Sequence, residues 1–182
     1  MGLTSAFAFA KTTHHDQRRK GFGSAFLAHP MAVASLVIEY GGYDPEDEVV
    51  RAALLHDVIE DTPLKEIHLA HSFTPRIARM VAELSHNENV SGRAKREQYI
   101  ERMREVPEWG VVLISACDKL DNMRSIIHAL RCCSAEEYRH GMWFYHDLLV
   151  VYKERELPDA LIMEFEDTLT RVQAMFDDDP VS

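Results

Sequence analysis

At 182 residues, with 46% hydrophobic residues and a net charge of −10, the chain is long enough for one well-formed core, and two domains would each be small. The acidic balance argues against nucleic acid as a partner, since a phosphate backbone calls for a basic footprint, but it leaves room for an anionic small molecule wherever basic residues gather. Three cysteines, two of them adjacent at Cys132 and Cys133, do not make a disulfide framework, and no apolar run nears the roughly 20 residues that span a bilayer.

The expectation is therefore a soluble, cytoplasmic protein without a membrane partner, since Met1 to Ala6 also lacks the basic start and apolar core of a signal peptide. In chain order, nearly every segment carries helical periodicity, and no Asn-Gly or Asp-Gly hairpin signal occurs. The expected fold is all-α: a single domain over 1–182 with its core at about 3–130 and a helical extension over 134–177. Leu3 to about His15 forms a first helix, with Ala6, Phe7, Phe9 and Ala10 as its apolar side. Gln17 to Ala28 is a basic, glycine-containing loop. Pro30 opens a second helix, with His29 at its N-cap, and Gly41-Gly42 ends it.

Asp44 is read as the N-cap of the next helix, with Pro45 at its first position and Thr62-Pro63 closing it. Pro63 begins a short helix, Thr74-Pro75 another, and Ser85 to Ser91 a polar loop. Arg93 to Met103 is a charged helix. Val111 to Ala116 has the composition of a buried strand, but no partner strand is in sight and Leu120, Met123 and Ile127 continue at helical spacing, so helix is expected. Ser134 and Glu137 form a capping box before a helix to about Arg155, Pro158 starts the last helix, and Asp177-Asp178-Asp179-Pro180 is a frayed acidic end.

One stretch resists a purely structural account. In Leu54-Leu55-His56-Asp57-Val58-Ile59-Glu60-Asp61-Thr62, four polar groups sit in a helix that is otherwise apolar nearly all round. His56 and Glu60 share one face, Asp57 and Asp61 the next. Buried carboxylates need a partner, a hydrogen bond or a metal, and an imidazole beside a carboxylate is a common beginning of a metal site; a helix end with satisfied polar residues is the alternative. Taken alone, His29 reads more readily as a solvated cap than as a ligand. Asp118, after a mostly apolar run, is either the buried ion-pair partner of Lys119 or Arg124 or another ligand.

The ordered set His29, His56-Asp57 and Asp118 resembles the signature of the HD-domain metal-dependent phosphohydrolases. Ala52 to Thr62 and Lys119 to Arg124 look like the hydrolase domain of the RelA/SpoT proteins and the small alarmone hydrolases, and His14, Gln17, Arg19, Lys20, His29 and Pro30 agree with the N-terminal pattern of that branch. The similarity runs from about Phe7 to Ile127. It implies an enzyme that removes the 3′-pyrophosphate of guanosine tetra- and pentaphosphate with one Mn²⁺ per chain. His29, His56, Asp57 and Asp118 would be the metal ligands, Glu60 and Asp61 would handle the attacking water, and Arg19, Lys20 and Asn122 would meet the nucleotide.

The chain departs from that branch at Thr12-Thr13, where a basic pair is common, at Ala25-Phe26, and at Asp121, where His or Tyr is usual. All three lie on the nucleotide side. An HD-domain nucleotidase, another phosphoesterase and a non-catalytic nucleotide-binding domain are the alternatives. His68, His71, His86, His128, His140 and His146 match no ligand pattern and are read as surface or internally satisfied. Arg93, Lys95 and Arg96 are read as a solvated face, Cys117 as a small core residue, and Trp109, Trp143, Phe144 and Tyr145 as core or homodimer contacts.

Overall fold

A computed structural model describes residues 2–18, 26–86, 89–129 and 136–177. These residues form helices and no strand, so the chain is all-α, as its periodicity requires: α1 (Leu3–Thr13), α2 (Ala28–Gly41), α3 (Glu48–Leu55), α4 (Val58–Asp61), α5 (Glu66–Ser72), α6 (Pro75–Leu84), α7 (Gly92–Glu105), α8 (Trp109–Ala129), α9 (Glu136–Arg139), α10 (Met142–Glu154) and α11 (Asp159–Asp177). Arg19 and Lys20, the Cys132-Cys133 pair, the Ser134 cap and the acidic end from Asp178 lie outside the described residues.

The axis of the fold is α8, 21 residues long, or roughly 31 Å at 1.5 Å per residue. Val111 through Leu120 are all buried, including Asp118 and Lys119. The run that resembles a strand is thus a helix surrounded by protein, and α2, α3, α6, α10 and α11 pack around it. Gly41 lets α2 come close, because a Cβ there would lie 2.5 Å from Leu113 Cδ2. Gly42 then ends the helix at φ +65°, a left-handed conformation that glycine adopts without strain.

Thr74 caps α6 as expected, its hydroxyl accepting from the Ile77 N–H. Other limits differ. The N-cap of α3 is Asp47, whose side chain accepts from Val49 N at 2.8 Å. Asp44 instead closes a local turn by accepting from Glu46 N. His29 lies inside the first turn of α2, behind an N-cap at Leu27, so it is a buried helical residue and not a cap. After α4, Thr62 accepts from Leu64 N while donating to the Val58 carbonyl. That turn delays α5 to Glu66, three residues beyond Pro63.

The largest difference concerns the motif helix. It is interrupted at His56-Asp57, between α3 and α4. His56 Nδ1 takes the Ala53 carbonyl at 2.8 Å, the oxygen that an unbroken helix would offer to the Asp57 N–H. Asp57 accordingly sits at φ −90°, ψ −6°, and the chain turns at the His56-Asp57 pair.

A candidate metal centre in an acidic cleft

The interrupted motif brings His56 and Asp57 up against His29 of α2 and Asp118 of α8. His29 Nε2 lies 3.1 Å from Asp118 Oδ1 and 3.6 Å from Asp57 Oδ2. His56 Nε2 lies 3.1 Å from Asp57 Oδ1 and 3.7 Å from Asp118 Oδ1. His29, His56 and Asp118, all buried, place ligand-type atoms within 4.8 Å of one another, and Asp57 flanks both imidazoles. The four positions are 89 residues apart in sequence at their extremes, His29 to Asp118, and the packing of α2 and α3 on α8 brings them together.

Each imidazole is pinned from behind. His29 Nδ1 donates to Asp121 Oδ2 at 2.7 Å and His56 Nδ1 to the Ala53 carbonyl, which turns both Nε2 atoms toward the carboxylates. That is the arrangement found behind metal-binding histidines. His56 Nε2 is buried without a hydrogen-bond partner despite its nearness to Asp57, an orphan that a cation would satisfy. Burial by itself would lower the His56 pKa, yet Asp57 and Asp118 hold it well above its ordinary value. Burial would raise Asp118, yet Lys119 and the two imidazoles hold its carboxyl well below the usual range. The donor set is imidazole plus carboxylate, in a field strongly favouring positive charge, and it fits a divalent ion.

The centre forms part of a cleft of about 680 Å³ that also contains Glu60, Asp61, Lys119 and Asn122. Asn122 donates to Asp118 Oδ1 at 2.6 Å and Lys119 to Oδ2 at 2.5 Å, so both oxygens of that carboxylate are held. Gln17 ties the N-terminal loop to the Asp61 carbonyl at 3.1 Å, while its Oε1 lies 2.7 Å from His14 Nδ1. Surrounding protein and then the like charges of Asp57 and Glu60 push Asp61 up to about 6. Burial would also raise Glu60, but His86, Lys119 and Lys95 bring it below its ordinary value.

Several cleft residues carried no sequence signal. His86, read as surface or satisfied, lines the cleft and bonds Glu60. Arg96 lines it as well, where a solvated helix face was expected. Tyr138 and Tyr145 reach it from the C-terminal helices, so Tyr145 is more than a core or dimer aromatic, and Arg18 and Phe26 reach it from the N-terminal side. Asp121, one of the departures placed on the nucleotide side, is engaged by His29. Thr12 and Thr13 turn their hydroxyls back onto the Ala8 and Phe9 carbonyls of α1.

The family model of the HD domain matches residues 6–148, most of the chain, and the chain belongs to that family. Among curated relatives, a guanosine-3′,5′-bis(diphosphate) 3′-pyrophosphohydrolase of Haemophilus influenzae is 35% identical over 122 residues, covering 64% of this chain and 17% of the relative. The bifunctional (p)ppGpp synthase/hydrolase SpoT of Escherichia coli K12 is 33% identical over 129 residues, covering 68% of this chain and 18% of its own length. The chain thus spans less than a fifth of these relatives. Two solved structures share the fold. A metazoan ortholog of SpoT that hydrolyzes ppGpp superposes with a TM-score of 0.81 at 22% identity, covering 93% of this chain and 94% of that one. The lmo0812 protein of Listeria monocytogenes EGD-e superposes with a TM-score of 0.68 at 26% identity, covering 85% and 99%.

Proposed function

We propose that this chain is a metal-dependent phosphohydrolase that removes the 3′-pyrophosphate from guanosine tetra- and pentaphosphate. The observation that carries it is the His29, His56 and Asp118 cluster, whose His29 and Asp118 line one cleft with two further carboxylates, Glu60 and Asp61. His29, His56, Asp57 and Asp118 would hold one divalent ion, with Mn²⁺ the candidate that suits mixed nitrogen and oxygen donors. When bound, such an ion lowers the pKa of water and offsets negative charge on phosphate oxygens. Glu60, kept ionised by His86 and Lys95, orients the attacking water. Asp61 lies in the same cleft, and its raised pKa suits it to accept the water's proton near neutral pH. Arg18, Arg96 and Lys119 give the cleft the local cations an anionic nucleotide needs, while Tyr138, Tyr145 and Phe26 offer ring faces to a base. Arg19, Lys20 and Asn122 remain the nucleotide contacts that the family resemblance implies.

A single domain that includes the extension is supported by α10 packing on α7 and α8, by α11 packing on α8, and by Tyr145 of α10 lining the cleft. No helix among the described residues is long and apolar enough to cross a membrane. A cytoplasmic location is supported by the use of cysteine, with Cys117 buried and free. The test is a substrate screen of the Mn²⁺-loaded protein against guanosine tetraphosphate, deoxynucleoside monophosphates and a generic phosphodiester. Pyrophosphate release from the first alone is expected. Inorganic phosphate from the monophosphates would move the protein to the nucleotidases, and binding without turnover would make it a sensor. Metal analysis accompanies the screen: one ion per chain is expected, and stoichiometric metal in Asp57→Ala would contradict that ligand.

A further inference from the structure

Glu60 is gripped by residues that no motif singles out. His86, immediately after the Ser85 C-cap of α6, has Nδ1 2.9 Å from Glu60 Oε2, and its backbone N–H is 3.4 Å from the same oxygen. Lys95 of α7 lies 3.6 Å from the other oxygen, Oε1. The imidazole is stacked nearly parallel on Tyr99, centroids 4.6 Å apart and planes 20° from each other. Tyr99 is itself fixed, with 1% exposure and its hydroxyl donating to Ser115 Oγ at 2.9 Å, which in turn lies 2.7 Å from the Tyr152 hydroxyl. Ser115 is one turn before Asp118 on α8. The helix that presents the candidate metal ligand therefore also sets, through Tyr99, the plane of the ring that holds Glu60.

We propose that His86 is a positioning residue: its Nδ1–H, with the ring plane set by Tyr99, fixes the Glu60 carboxylate in the cleft in the orientation that turnover needs. This rests on the hydrolase activity proposed above. A purely structural role is disfavoured by physics, because an ion pair this close to solvent, with Glu60 33% exposed, adds little to stability. A misplaced catalytic group, by contrast, is expensive in rate, on the order of 100-fold for displacements near 1 Å. The arrangement is that of an imidazole and carboxylate that fix each other's orientation and tautomer.

The test uses the full chain loaded with Mn²⁺. His86→Ala is expected to lower kcat by about 10- to 100-fold with metal content, KM and the thermal melt nearly unchanged. His86→Asn, whose amide N–H stands where Nδ1–H stood, is expected to recover most of that loss, and His86→Gln is not. In a Glu60→Gln background, His86→Ala should add almost nothing. A loss that appears in KM alone, an Asn variant as slow as the Ala variant, or a full additional loss in the Glu60→Gln background overturns the proposal. A second readout requires no substrate. At alkaline pH, nitrogen NMR of the histidines should show His86 as the Nδ1–H tautomer in the native protein and lose that form in Glu60→Ala. An Nε2–H tautomer in the native protein overturns the proposal whichever compound the enzyme hydrolyses. Failure to release pyrophosphate from guanosine tetraphosphate overturns the activity and leaves the tautomer to decide the pair.

Discussion

Asp121 shows how far one residue's meaning depends on its neighbours. As a carboxylate where the related hydrolases carry His or Tyr, it reads in sequence as a repulsive charge beside an anionic substrate. Folded, it is 14% exposed and bonded to His29 Nδ1 at 2.7 Å, so its charge serves to aim an imidazole. Partners of this kind behind metal-binding histidines affect affinity by about 10- to 100-fold. Asp121→Ala is expected to weaken Mn²⁺ binding by that factor, measured by calorimetric titration. An unchanged affinity would mean that the backbone of α2 alone orients His29.

Between elements, a polar network joins α3, α6 and the residues leading into α8. Arg76 reaches Glu48 at 3.1 Å and Glu108 at 3.1 and 3.2 Å, and the Thr74 hydroxyl donates to Glu48 at 2.6 Å. Thr74 is thus both the cap of α6 and a strap to α3. With Arg76 42% exposed, solvent screens its pairs, and Arg76→Ala should lower unfolding stability by about 1 kcal/mol or less. The Thr74 hydrogen bond, although opposed by burial, and then Arg76 hold the Glu48 carboxyl below its ordinary pKa of 4.5. A depressed folded pKa stabilises above the ordinary value, and that stabilisation disappears as pH falls through the depressed one. Glu48→Gln should therefore be less stable than the native chain at neutral pH, with the gap closing on acidification, as followed by denaturant unfolding. A gap that widens in acid would contradict the network.

For the molecule as a whole, the question is whether α10 and α11 fold with the rest. Phe165 of α11 is fully buried and meets Tyr152 of α10 edge-on at 5.5 Å, and Tyr152 is linked by Ser115 to the middle of α8. Phe165→Ala should cost about 3–5 kcal/mol, a large share of the roughly 5–15 kcal/mol that holds a domain together. It should shift one cooperative transition reported alike by circular dichroism and by tryptophan emission. Two separate transitions would divide the extension from the core.

What the sequence determined by itself is local or periodic. Thr74-Pro75 marks the start of α6 and Gly42 the end of α2 because caps and positive φ are decided within a few residues. The all-α fold follows from apolar spacing, and His56-Asp57 with Glu60 and Asp61 stands out because four polar groups in an apolar helix need partners. The tertiary structure decided what lies across the chain. His29 meets Asp121 over 92 residues, Glu60 meets His86 over 26, and Tyr145 enters the cleft from a helix outside every motif. Such pairings leave no period in a single sequence, since they depend on which faces of α2, α6, α7 and α10 the packing around α8 turns inward. The break at His56-Asp57 belongs with them: its residues are visible in the sequence, but the competition of an imidazole for the Ala53 carbonyl is settled only once that ring is buried against Asp118.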